Sequence, residues 1–472
     1  MKTRYRIPIE NKLIAEVDVF HGKIDKYDER LLKEKEIMKI LNINFIKRYN
    51  NNIHFAKIKI FTFCEMNDII YLRWIIIMKL IKREYLKELI EVIGTPDIKV
   101  ITGVRRSGKS KLLEMFKNYI IENIKDYNII DINFNLVKFD NLRDYISLNN
   151  YIEKHYIVGK NNFVLIDEVQ MCKEFERTIN SLHAEEKYDI YITGSNAFLL
   201  SSDLATLFTG RTYEIQVYPF SFKEFMKYFN YENAQDAFEK YVLEGGMAGS
   251  YIYNDVNKKY NYINDVYNAL IVRDIQQKYN IQNIGLMDSL TEFMMDNVSN
   301  LTSYRKIANI LNQASINTND KTIANYINYL CDAFAFYKIR RYDIQGKRYL
   351  SSVDKYYLVD QTFKYAKLGT KNMNYGRIYE NIVAIELLRR GYEIYVGELY
   401  NAEVDFVAMK MNEKIYVQVS DNISDDKTFE REVRPLLKIK DAYPKILIAR
   451  TRHDDYQYEG IQIYDLANWL LK

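Results

Sequence analysis

Residues Val100-Ile101-Thr102-Gly103-Val104-Arg105-Arg106-Ser107-Gly108-Lys109-Ser110 decide the fold, because an apolar run passes straight into Gly-x-x-x-x-Gly-Lys-Ser and then into a helical pattern over 111–121. Glycines at this spacing let the backbone curl so that successive N–H groups point inward. The helix that follows adds the positive end of its dipole to the same spot. The stretch therefore predicts a phosphate-binding loop. Its binding set is Gly103, Arg105, Arg106, Ser107, Gly108, Lys109, Ser110 and Lys111, with Lys109 reaching the outer phosphates of ATP and the Ser110 hydroxyl available to Mg²⁺. A bare glycine-rich turn between strand and helix is the competing reading.

A second run, Phe163-Val164-Leu165-Ile166-Asp167-Glu168, is four apolar residues ending in two carboxylates. It reads as a buried parallel strand whose C-terminal end carries the acids, where open α/β sheets place their ligands. Asp167 is predicted to share Mg²⁺ with Ser110, and Glu168 to orient and polarise an attacking water. A third strand, Tyr188-Asp189-Ile190-Tyr191-Ile192-Thr193, leads into Gly194-Ser195-Asn196 and makes Asn196 or Thr193 the candidate sensor of the terminal phosphate. Arg211, after Gly210, is a candidate arginine finger.

The segments Lys82-Arg83-Glu84-Tyr85, 100–110, 165–170, 193–200, 209–213 and Tyr218-Pro219-Phe220-Ser221-Phe222-Lys223-Glu224-Phe225 resemble successive signatures of the archaeal and bacterial AAA-type ATPases that carry a C-terminal domain of unknown function. The resemblance covers about residues 78–472. It implies an AAA-like core in which Arg211 acts near a nucleotide, in trans, and it supplies no substrate.

Composition sets limits. The 472 residues suggest two to four domains, and 67 basic against 63 acidic residues leave a net charge of +4. Any nucleic-acid contact must then come from a local patch. Three cysteines, Cys64, Cys172 and Cys331, lie far apart without metal-ligand spacing, which points to a reducing compartment. The five histidines are scattered and form no other hydrolytic constellation. The most apolar window, 69–81, contains Arg73 and Lys79 and is too short to span a bilayer, and no charged-then-apolar leader follows Met1. No membrane association and a cytoplasmic location are expected.

The fold expected is α/β: a P-loop NTPase parallel sheet (AAA-like) with a helical lid, a winged helix and a degenerate PD-(D/E)xK nuclease-like α/β domain. Residues 1–77 stand apart. Lys2–Ile9 and Leu13–Gly22 alternate like two strands and resemble a fragment of a triphosphate-binding CYTH domain, and Met78 resembles the usual opening of the ATPase family. Residues 78–222 form the AAA-like core. Residues 223–298 read as the lid, including one helix over 255–277 that holds Arg273, a candidate second sensor.

Residues 299–375 read as the winged helix, with Lys338, Arg340, Arg341, Lys347 and Arg348 on its hairpin as a possible contact to a DNA backbone. Residues 376–472 resemble a restriction-endonuclease-type core through Glu380, Asp405 and the strand containing Gln418-Val419-Ser420. Gln418 and Ser420 stand where that core carries a carboxylate and a lysine. A neutral amide is a poor Mg²⁺ ligand, so nuclease activity is not expected. The function expected is an ATP-hydrolysing switch, working as a homo-oligomer, that drives the C-terminal recognition modules. A DNA-binding or toxin-like module with ATP as a structural ligand, and a protein-interaction scaffold, are the competing classes.

Overall fold

The computed structural model describes residues 2–9, 13–20, 23–26, 81–194, 208, 210–371 and 373–472. The chain divides into two units, Met1–Trp74 and Ile75–Lys472. In the first, strands β1 (Lys2–Ile9), β2 (Leu13–Phe20) and β3 (Lys23–Lys26) make an antiparallel sheet in that order. Its register sets Arg4 opposite Asp18 and Arg6 opposite Glu16. The expectations attached to Met78 and Asn196 lie outside the described residues.

The second unit opens with α1 (Tyr85–Glu91), β4 (Ile98–Thr102), α2 (Lys109–Asn123), β5 (Tyr127–Asn133), α3 (Tyr145–Lys154), β6 (Asn161–Asp167), α4 (Phe175–Ala184), β7 (Tyr188–Thr193) and β8 (Thr212–Gln216). The five strands form a parallel sheet in the order β5-β6-β7-β4-β8. Strand periodicity explains its two cores. On β6, Val164 and Ile166 face one side with Ile179 and Leu182 of α4, whereas Phe163 and Leu165 face the other with Leu112, Phe116 and Ile120 of α2. A strand buried on both faces can be apolar at every position, as the run 163–166 is.

The longer helices that follow are α5 (Phe222–Phe229), α6 (Ala234–Glu244), α7 (Val256–Ala269) and α8 (Ile284–Asp296). Ser221 and Glu224 cap α5 reciprocally, each side chain accepting from the other's backbone N–H. The single helix expected over 255–277 is not continuous, since α7 gives way to a π-helical segment at Leu270–Gln276. Such a segment marks an extra residue accommodated within a helix.

Next come α9 (Tyr304–Gln313), α10 (Asp320–Asp332), β9 (Phe336–Asp343), β10 (Arg348–Leu358), α11 (Thr362–Leu368), α12 (Tyr375–Arg389), β11 (Glu393–Leu399), β12 (Ala402–Lys410), β13 (Glu413–Ser420), α13 (Asp426–Leu437), β14 (Lys445–Ala449), β15 (Tyr456–Tyr458), β16 (Ile461–Asp465) and α14 (Leu466–Leu471). Strands β9 to β16 share one sheet, ordered β10-β9-β11-β12-β13-β14-β16-β15. The β9–β10 hairpin is therefore not a free wing. Strand β9 pairs in parallel with β11, so the sheet runs across residue 375.

Candidate functional site

Geometry at the end of β4 explains each glycine of the loop. Gly103 has φ +132°, and a Cβ there would lie 2.1 Å from the Val217 carbonyl oxygen. Gly108, with φ +102°, precedes the first residue of α2. Gly103→Ala should lower stability by about 2 kcal/mol or more, read from urea unfolding, because it adds both a clash and an unfavourable backbone angle.

Lys109 is buried, and its ammonium donates to the Gly103 and Val104 carbonyls at 2.7 and 3.1 Å. Burial lowers its pKa, against the pull of Glu168, Asp274 and Asp167. Ser110 Oγ donates to Asp167 Oδ1 at 3.0 Å, and Thr193 Oγ1 donates to the same oxygen at 2.5 Å. Strand order produces this meeting, since β7 lies between β4 and β6 and so puts Thr193 between the loop and the acids. Asp167 Oδ2 is buried with no partner, and burial raises the carboxyl above the usual range despite those two hydrogen bonds. Orphaned buried carboxylate oxygens are costly unless a cation serves them.

Glu168 adopts a left-handed backbone, φ 59°. Its N–H donates to Thr193 Oγ1 at 3.2 Å, and its Oε2 accepts from Gln170 Nε2 at 2.5 Å. Lys111 faces solvent and pairs with Glu114 at 2.7 Å, and Arg106 is exposed with φ 66°. Arg211 is exposed at the start of β8, where the Ile98 N–H donates to its carbonyl. That is the opposite end of β4 from the loop, five residues, or about 16 Å, away.

Two charged side chains that sequence reading did not assign meet the loop. Arg83 is buried; its NH1 donates to Ser107 O at 2.8 Å, its NH2 to Tyr218 O at 2.7 Å and its Nε to Glu224 Oε1 at 2.6 Å. It ties the loop to the turn after β8 and to α5, and its place in the Lys-Arg-Glu-Tyr segment is the signal that could have found it. Asp274 pairs with Arg105 through both carboxylate oxygens, at 2.6 and 3.0 Å. The expected second sensor was its neighbour Arg273, whose side chain lies outside the described residues.

A second cluster occupies the C-terminal sheet. The β12–β13 register sets Phe406 against Val417 and brings Asp405 beside Gln418. Lys355 of β10 brings a buried ammonium to this cluster. Its Nζ lies 3.1 Å from Glu380 Oε1, 2.6 Å from Glu403 Oε1 and 3.9 Å from Asp405 Oδ1. Tyr357 donates to the same Glu380 oxygen, and the Val419 N–H to Asp405 Oδ2. A lysine inside the otherwise buried run Lys355-Tyr356-Tyr357-Leu358 is a readable signal for such a cluster. On the hairpin, Lys338 pairs with Asp354, Arg341 with Glu398 and Arg348 with Asp343. Three of the five cations proposed for DNA are thereby neutralised within the chain.

Fold and site together define an AAA-type P-loop protein, a nucleotide-binding class. Residues 95–226 match the model of an AAA domain, and residues 235–374 match that of a domain of unknown function. An uncharacterized protein of Haemophilus influenzae is 37% identical over 399 residues, covering 83% of this chain and 99% of its own. The chain belongs to the family of that protein. Uncharacterized protein MJ1544 of Methanocaldococcus jannaschii is 28% identical over 385 residues, 78% of this chain and 85% of its own. Among solved structures, AMPPCP-bound DnaA from Aquifex aeolicus aligns at 18% identity with a TM-score of 0.25, over 49% of this chain and 69% of that one. Domain III of Thermotoga maritima DnaA aligns at 18% identity and a TM-score of 0.28, over 40% of this chain and 94% of that one. Among the described residues, no helix is long and apolar enough to cross a membrane.

Proposed function

We propose that the chain is a Mg²⁺-dependent ATP-hydrolysing switch that passes its nucleotide state to the C-terminal sheet. The orphaned Asp167 Oδ2 beside Ser110 Oγ carries the reading, because this oxygen pair fits a hard cation in contact with phosphates at the loop. Bound Mg²⁺ would neutralise charge developing on the transferred phosphoryl group. Lys109 and the loop amides hold the phosphates, Glu168 accepts a proton from water, and Thr193 holds Asp167 and the Glu168 backbone in place. Asn196 is the residue we assign to sensing the terminal phosphate. Arg211, too far to reach its own loop, acts on a neighbouring copy in a homo-oligomer.

A route toward the C-terminal sheet starts at the loop. Arg83 joins Ser107 to Tyr218, and Arg389 of α12 donates to the adjacent Pro219 carbonyl at 3.0 Å. Helix α12 also carries Glu380. The C-terminal region serves recognition rather than cleavage in this reading, since neutral Gln418 stands where a carboxylate would ligate Mg²⁺. Duplex DNA is the partner tested, through exposed Arg340 and Lys347 on the β9–β10 hairpin.

Steady-state ATPase of the full chain, with and without duplex DNA, tests the proposal. Lys109→Ala should weaken ATP binding by about tenfold or more, the worth of a charge-assisted contact to phosphate. ATP bound tightly but never hydrolysed would make it a structural ligand. Hydrolysis indifferent to DNA would remove DNA as the partner.

A further inference from the structure

The phosphate loop carries three cations, Arg105, Arg106 and Lys109, and three carboxylates surround it, Asp167, Glu168 and Asp274. Asp274 differs from the other two in origin. It comes from the π-helical segment Leu270–Gln276, is 1% exposed, and has no ion pair other than Arg105 among the described residues. The guanidinium fork offers Asp274 the paired N–H geometry with which arginine grips phosphate. Arg105 therefore spends its best donors on a carboxylate at the edge of a phosphate site.

The contact is also mechanical. Val104, next to Arg105, is fully buried in the core formed by Leu270, Ile271 and Ile275 of the same segment together with Ile323 and Ile327 of α10. Two consecutive loop residues are thus anchored to one stretch of helix, one by packing and one by charge.

We propose that Asp274 is an internal competitor for Arg105, so that nucleotide phosphates displace its carboxylate and the released π-helical segment reports occupancy to the helical core. The proposal rests on the ATP-binding reading above. Asp274 opposes nucleotide in two ways, by holding Arg105 and by adding negative charge where phosphate must sit. Neutralising it while keeping its shape should favour nucleotide.

The test is calorimetric titration of the full-length chain with Mg-ATP for wild type, Asp274→Asn, Arg105→Ala and the double variant. Asp274→Asn should tighten ATP binding by about three- to tenfold, the effect of removing one screened like charge. Arg105→Ala should weaken binding, and the double variant should lose most of the gain. In wild type, hydrogen exchange of amides 270–276 should speed up on adding ATP, a readout that does not depend on any variant folding. Wild type that binds ATP while Asp274→Asn binds no better, with amides 270–276 unchanged, overturns this proposal alone. No binding by either protein overturns the ATP reading and this one together. Binding by Asp274→Asn only overturns displacement by ATP in the native chain, together with the ATP reading.

Discussion

Glu168→Gln is expected to bind ATP as wild type does and to hydrolyse it about 10²- to 10⁴-fold more slowly, the usual worth of a positioned general base. The substitution is nearly isosteric, and the contacts that set the backbone here do not involve the carboxylate. The Glu168 N–H to Thr193 and the left-handed φ of 59° would persist. What changes is the ability to take a proton from water while the phosphoryl group transfers. Single-turnover measurements with prebound Mg-ATP separate chemistry from release. Wild-type turnover in this variant would remove Glu168 from the role and direct attention to Asp167 or to a group from a neighbouring copy.

Lys355→Met should destabilise the chain by about 3–5 kcal/mol at neutral pH, the range for removing one partner of a buried charge cluster. Methionine nearly conserves volume, so packing changes little. Burial works against the lysine's charge, but Glu380, Asp405 and Glu403 overcome it and hold its pKa above the usual lysine value. Without that ammonium, Glu380 and Asp405, both already raised above the usual carboxylate range chiefly by burial, would face one another uncompensated.

The sign of the pH effect follows. A carboxyl whose folded pKa lies above its unfolded value binds more protons folded than unfolded, so stability rises as pH falls through the folded pKa toward the unfolded one. Urea unfolding at pH 7.5 and 5.5 should show the variant's deficit shrinking at the lower pH. An equal deficit at both would mean that Lys355 contributes only through packing.

These two sites differ in how far they could be read from the chain. Gly103, Lys109, Ser110, Asp167 and Glu168 were legible because their chemistry is set by neighbours within a few positions: a strand, a turn that demands positive φ, and a helix start. The parallel sheet was legible for a similar reason, since 163–166 are apolar at every position and only a strand covered on both faces tolerates that. Helix α10 is also legible, by the helical spacing of Ile323, Tyr326, Ile327 and Leu330.

Long-range partners were a different matter. Arg83 reaches Ser107 across 24 positions, Lys355 reaches Glu380 across 25, and Arg105 finds Asp274 across 169. The Lys-Arg-Glu-Tyr segment marks Arg83 and the apolar setting marks Lys355, but nothing local names the partner of either, and Arg105 reads as one more cation of the loop. The same holds for Lys338, Arg341 and Arg348, whose acidic partners emerge only when β9 pairs with β10 and β11. Local backbone chemistry and hydrophobic period determine the loop, the acids and the strands by themselves, because they act between neighbours. Which buried charge meets which, and thus what grips the phosphate loop and what sits among the C-terminal carboxylates, was decided by the tertiary structure alone. A buried ion pair exists only where packing has already removed water from both partners.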